Sequence, residues 1–178
     1  MSRLLRLLPV LLVAACGGGS GPADPEVAVR VTELVVDPGG NPVVLLHEQD
    51  GARSLPIWIG LAEARSIASK LERVEPPRPN THDLAKRLLD GLGARVQRVV
   101  VTELRESTYY GLIVMEGPGG TVEVDARPSD AIALALRVNA PIFVREALFE
   151  KAALDEAEET TPPGREVFRR DARGVDAT

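Results

Sequence analysis

Asp125-Ala126-Arg127-Pro128-Ser129-Asp130, running straight into Ala131-Ile132-Ala133-Leu134-Ala135-Leu136, sets two acids, a cation and a hydroxyl where a strand gives way to a helix. Pro128 suits the first helical position, because its missing N–H would have no partner there. Asp130, two residues on, can accept from first-turn amides and meet the positive end of the helix dipole. Capping therefore accounts for Pro128, Ser129 and Asp130. Asp125 and Arg127 are left over.

The same stretch has a counterpart earlier in the chain. Residues 43–71 align without gaps on residues 110–138 at an offset of 67, setting Ile57 on Val124, Glu63 on Asp130, Ala64 on Ala131, Ala68 on Ala135 and Lys70 on Arg137. Val31-Thr32-Glu33-Leu34 returns as Val101-Thr102-Glu103-Leu104 at an offset of 70, and the longer turn Asp37-Pro38-Gly39-Gly40-Asn41-Pro42 absorbs the difference. An acid in the first helical turn is thus common to both copies, and its simplest role is structural. The alignment also sets Trp58 on Asp125 and Gly60 on Arg127, so polarity at those two positions belongs to the second copy alone.

Each copy reads as three strands and a helix. Alternating or short apolar runs place strands at 27–36, 43–47 and 55–59, with Asp50-Gly51 as a hairpin turn and a helix over 61–71. The second copy places strands at 96–104, 109–115 and 121–126 and a helix over 128–138. Between them, 81–92 reads as a connecting helix capped by Thr81, buried through Leu84, Leu88, Leu89 and Leu92, and ended by Gly93. A last strand over 141–144 and a short helix over 147–154 complete an α+β domain, two strand-strand-strand-helix units joined by a helix, with a mostly antiparallel sheet.

The ends read differently. Arg3 and Arg6 precede a short apolar run closing on Val13-Ala14-Ala15-Cys16, the pattern of a secretory signal over residues 1–15. The sole cysteine stands where a bacterial lipoprotein signal places the acylated residue, so Cys16 is the expected lipidation site and the membrane the expected partner. Gly17 after it, where aspartate would retain a lipoprotein at the inner membrane, points to the outer membrane of a cell envelope. The Gly/Pro-rich stretch 16–26 reads as a tether, 27–154 as the domain and 155–178 as a disordered tail. With Arg3 and Arg6 removed, 19 basic residues face 26 acidic ones, a net charge of −7 that argues against indiscriminate nucleic-acid binding.

The words Pro56-Ile57-Trp58-Ile59-Gly60, Pro79-Asn80-Thr81-His82-Asp83-Leu84 and Asp125-Ala126-Arg127-Pro128-Ser129-Asp130-Ala131-Ile132-Ala133-Leu134-Ala135 resemble those of the bifunctional nuclease (BFN) domain family, formerly a domain of unknown function, over about residues 27 to 153. The resemblance implies a nuclease that cleaves DNA and RNA. The residues falling on its most recognisable words are Glu63, Thr81, His82, Asp83, Asp125, Arg127, Ser129 and Asp130.

Chemistry consistent with that implication has Asp125, with Asp130 or Glu63, holding Mg²⁺ or Mn²⁺, His82 or a metal-bound water as base, and Arg127 facing the phosphorane charge. The plain alternatives are an Asp125–Arg127 or Arg127–Asp130 ion pair fixing the turn, and a cap-region His82 paired with a neighbouring acid. Cations for nucleic acid are Arg65, Lys70, Arg73 and Arg78 around the first helix, and Arg95, Arg98 and Arg105 on one strand and its turn. Tyr109 and Tyr110 offer stacking faces, yet aromatics are only 3% of residues, and Trp58 reads as core or interface packing, with homo-oligomers formed through it or the sheet edges. No Walker loop, G-x-S-x-G or H-E-x-x-H occurs. The rival reading is a non-catalytic envelope scaffold or binding module on the same duplicated fold.

Overall fold

The computed structural model describes residues 24–159; the expected signal, the expected lipidation site Cys16 and most of the expected tail lie outside them. The elements are β1 (Glu26–Val36), β2 (Pro42–Glu48), β3 (Ser54–Trp58), α1 (Leu61–Leu71), α2 (Thr81–Gly91), β4 (Arg95–Arg105), β5 (Thr108–Gly117), β6 (Gly120–Ala126), α3 (Pro128–Val138), β7 (Ile142–Arg145) and α4 (Glu146–Glu159). The α+β class holds, and the duplication is visible in space. Strand order is β3-β2-β1-β7-β4-β5-β6, two three-strand meanders laid out in mirrored order on either side of β7. β7 pairs antiparallel with β1 and parallel with β4, the one parallel ladder of the sheet.

Alternation along the strands sends one set of side chains under the helices. Val29, Val44, Leu46, Leu55 and Ile57 from the first unit meet Val99, Val101, Ile113 and Val144 in one buried cluster. α1 and α3 pack on each other and bring Ile67, Ile132 and Leu134 to it. Fully burying aliphatic side chains of this kind contributes ~1.5–3 kcal/mol each, and this shared core is what fixes the first turns of α1 and α3 side by side.

Three local expectations are corrected. The cap of α2 is Asn80, not Thr81: the Asn80 carboxamide oxygen accepts from the His82 and Asp83 amides, and Asp83 accepts in return from the Asn80 amide, a capping box. The inward face of α2 carries Ala85 and Leu89, whereas Leu84, Leu88 and Leu92 are exposed. The reason is polar: His82 bonds to α3 in the first turn, and residues 82, 85 and 89 share one helical stripe. Finally, α4 continues to Glu159, into the segment expected to form a tail; Ala, Leu and Glu there are strong helix formers. At its start Leu148 and Phe149 are buried, and Arg53 of the β2–β3 turn stacks over Phe149 at 4.6 Å and pairs with Glu146.

Candidate functional site

The first turns of α1 and α3 begin alike, with Gly60 and Arg127 as the respective caps and Glu63 and Asp130 each at the third helical position. Arg127 is where the two copies meet. Its Nε donates to Asp130 Oδ2 at 2.6 Å, and its Nη2 donates to Asp130 Oδ1 at 3.0 Å and to Glu63 Oε1 at 2.7 Å. The Arg127–Asp130 ion pair, one of the plain alternatives, is therefore present. The capping expectation for Asp130 is not met: neither α1 nor α3 has a side-chain cap bond, and both Asp130 oxygens go to Arg127 and His82. Gly60 makes room, since a Cβ there would stand 2.3 Å from Glu63 Oε2.

From Asp130 the polar chain runs inward. His82 Nε2 lies 3.1 Å from Asp130 Oδ1, and its Nδ1 lies 2.9 Å from Ser66 Oγ on α1. Asn80 Nδ2 donates to the same hydroxyl at 3.2 Å. Donors and acceptors balance for a neutral imidazole protonated on Nε2: Asn80 donates to Ser66, Ser66 to His82 Nδ1, and His82 to Asp130. Ser66 is 5% exposed, so this hydroxyl is a buried relay between helices and not an accessible nucleophile.

Asp83 faces away from this chain. Its Oδ2 accepts from the Asn80 amide and its Oδ1 from Arg137 Nε at 2.6 Å. Arg137, buried on α3, also donates to the carbonyls of Ala133 and Ser66. His82 thus pairs with Asp130 across the helices, not with its neighbour Asp83, and Asp83 is a structural bracket.

Charge follows this geometry. Burial alone would raise the Asp130 carboxyl, but hydrogen bonds from Arg127 and His82 and the arginine's charge overcome it and hold the group below the usual carboxylate range. Asp83 is lowered likewise, burial being outweighed by the Asn80 amide and Arg137. Arg127, bonded first by Asp130 and then by Glu63, holds its proton more tightly than a free arginine.

Asp125 stands apart. In the β5–β6 ladder Ala126 pairs with Gly111 and Val124 with Ile113, on the helix-covered face, while Asp125 pairs with Leu112 and faces the other way. It is exposed and has no hydrogen bond or ion pair among the described residues. Asp125 and Asp130 therefore do not form the expected cation pair, and among the described residues no three of His, Cys, Asp and Glu are grouped to hold a metal. Glu63 and Asp130 instead share a guanidinium. The donor set does not fit a preformed Mg²⁺ or Mn²⁺ site.

Outside the cluster, Arg127, Pro128 and Ser129 line an open groove of about 510 Å³ together with Trp58, Thr108 and Tyr109. Trp58 is not core: it is 57% exposed on the edge strand β3, with its indole N–H on Asp37. Of the strand cations, Arg98 pairs with Glu26, and Arg105 pairs with Glu103 and stacks over Tyr110.

Ser66, Asn80 and Arg137 were not singled out from the sequence. The signal for Arg137 was a lone cation in the otherwise apolar helix 131–138.

Residues 44–157 match the family model of the bifunctional nuclease domain. The chain is 46% identical over 135 residues to an uncharacterized protein of Mycobacterium tuberculosis, covering 74% of this chain and 80% of that protein. It is 30% identical over 112 residues to Bifunctional nuclease 1 of Arabidopsis thaliana (61% of this chain, 34% of that protein). To Bifunctional nuclease 1 of Oryza sativa subsp. japonica it is 28% identical over 122 residues (67% and 37%).

Proposed function

The chain belongs to the bifunctional nuclease domain family, and on that premise we propose that it binds nucleic acid and hydrolyses phosphodiester bonds at the Arg127 cluster. One observation carries the assignment. The two carboxylates grip Arg127 along its Nε and Nη2 edge, while Nη1 has no hydrogen bond among the described residues and the side chain is 66% exposed beside the Trp58–Tyr109 groove. Such a fork is held in place yet keeps donors for a phosphate oxygen.

In this reading Arg127 Nη1 holds a non-bridging oxygen and faces the charge that grows there in the transition state. Glu63 Oε2, which accepts no hydrogen bond among the described residues, takes a proton from the attacking water. The water oxygen bonds to phosphorus, the bond to the leaving nucleoside oxygen breaks, and that oxygen takes its proton from solvent. Asp130 and His82 are positioning residues: they fix the arginine through the relay from Ser66. Trp58 and Tyr109 supply faces for the adjoining base. Lipidation of Cys16 and an envelope location belong to the same proposal, resting on the Ala14-Ala15-Cys16 signal; the nucleic acid met there is periplasmic or extracellular.

The full saturation of Asp130 supports a second reading, in which Arg127 is a clamp between helices α1 and α3 of a non-catalytic module. Labelled single- and double-stranded oligonucleotides incubated with the purified protein in Mg²⁺, Mn²⁺ or EDTA separate the two. The nuclease reading expects Arg127→Ala and Glu63→Gln each to lower cleavage by ~10²-fold or more with the fold retained, and Asp125→Ala to leave it unchanged. Equal cleavage by wild type and the Arg127→Ala, Glu63→Gln double variant overturns it. No cleavage by any form, with Arg127→Ala lowering the melting temperature, supports the clamp.

A further inference from the structure

A second cavity, of about 750 Å³, opens where the last turn of α1, the segment 73–79, the first turns of α2 and the end of α3 come together. Five cations line it: Lys70, Arg73, Lys86, Arg87 and Arg137. Lys86 pairs with Asp90, but the side chains of Lys70, Arg73 and Arg87 have no hydrogen bond or ion pair among the described residues, although the charge of Arg87 reaches Asp83. The carboxylates lining the cavity do not neutralise this group. Asp83 is committed to Arg137, which leaves Glu75 alone against the open cations. In a chain of net charge −5, such a concentration of unpaired positive charge in one concavity is a departure from the whole.

The backbone supplies an independent sign. α1 ends in a Schellman turn, with Val74 N on Ser69 O and Arg73 N on Lys70 O, and the left-handed residue in it is Arg73, at φ 58°. That position favours glycine, because a Cβ is strained there. An arginine kept at a glycine position, its side chain lining a cationic cavity, is a local strain that helix termination does not explain. Pro76, Pro77 and Pro79 also line the cavity, with fixed φ and little conformational freedom to lose on binding.

The geometry points to a phosphate-binding subsite here, which holds the phosphodiester backbone of a nucleic-acid strand through Lys70, Arg73 and Arg87. This inference rests on the nucleic-acid reading of the Arg127 cluster and extends it. His82 and Asp83 are adjacent in the first turn of α2; one faces the Arg127 cluster and the other lines this cavity, so a strand crossing that turn reaches both.

The test is binding, read separately from cleavage. Anisotropy of a short labelled single-stranded oligonucleotide is titrated with the full protein in EDTA at several salt concentrations, for wild type, Arg73→Gly, and the triple variant Lys70→Ala, Arg73→Gly, Arg87→Ala. The wild-type slope of log affinity on log salt should fall by about 0.7 for each phosphate no longer neutralised, near 2 for the triple variant, with at least ~10-fold weaker binding at moderate salt. Arg73→Gly should bind more weakly while melting no lower than wild type, since glycine relieves the strain; misfolding cannot then explain the weaker binding. Those results support the subsite even if no form cleaves, in which case only the nuclease assignment fails. An unchanged slope in the triple variant overturns the subsite. Inorganic phosphate protected by the same three cations, without oligonucleotide binding, identifies a small-anion site and overturns the backbone assignment.

Discussion

Replacing Arg137 by methionine removes the one buried cation of the helix layer among the described residues while keeping most of its volume. The guanidinium is 4% exposed and donates to Asp83 Oδ1 at 2.6 Å, to Ala133 O at 2.8 Å and to Ser66 O at 3.2 Å. The two carbonyls sit inside helices α3 and α1 and keep their helical bonds, so depriving them of the guanidinium costs little. The main term is the Asp83 carboxylate, left charged without its partner. Removing one member of a buried pair costs ~3–5 kcal/mol; Asp83 is 27% exposed and retains the Asn80 amide, which brings the expectation to ~2–4 kcal/mol. Asp83→Asn strands the guanidinium instead and should cost a similar amount. The double variant should be less destabilised than the sum, with a coupling of ~1–3 kcal/mol. Urea unfolding followed by circular dichroism measures all four corners of the cycle, provided the slope m stays constant. Arg137→Met within ~0.5 kcal/mol of wild type, or strict additivity in the double variant, would refute the bracket.

Two further outcomes follow from the same cluster. Because the Asp130 carboxyl is depressed in the fold, the stability it contributes is complete above the unfolded value of about 3.9 and is lost as pH falls through the lower folded value. Melting temperatures from neutral to strongly acidic pH should therefore show wild type above Asp130→Asn near neutrality and the two converging in acid; a gap constant with pH rejects the assignment. Gly60→Ala should push Glu63 off Arg127, because the new Cβ would meet Glu63 Oε2, and cleavage should fall toward the Glu63→Gln level with little change in urea midpoint; full activity would displace Glu63 as the base.

The duplicated units were legible because each repeats a local pattern at a fixed offset, and the bounds of α1 and α3 follow from strand-to-helix switches that periodicity records. The place of β7 was not, since a four-residue apolar strand says nothing of its neighbours, and its pairing with both β1 and β4 is decided by the closed core. Hydropathy also misplaced three of the four leucines of α2, Leu84, Leu88 and Leu92, while Leu89 lies inward as expected. Leucines outnumber the alternatives on one side, yet the His82 bond to α3 and the adjoining Asp83–Arg137 bond fix the rotation, and two strong polar bonds in the first turn set the phase for the turns that follow.

The shared acids are the most instructive case. Glu63 and Asp130 occupy equivalent positions in the two copies, which suggested a common capping role, but neither side chain caps its helix. Equivalence has a different consequence once the copies pack: α1 and α3 lie against each other, so their third positions converge on a single point. Duplication alone places two like charges there, an arrangement that repels unless a cation stands between them. Only the second copy supplies one, Arg127, at the position where the first copy has Gly60, and that glycine leaves the space the Glu63 carboxylate occupies. The asymmetry at one aligned pair therefore turns a symmetric repulsion into an anchored arginine with one edge open to the groove. This is why Arg127 belongs to the cluster while Asp125, the other position unique to the second copy, lies on the opposite face of the sheet and takes no part in it.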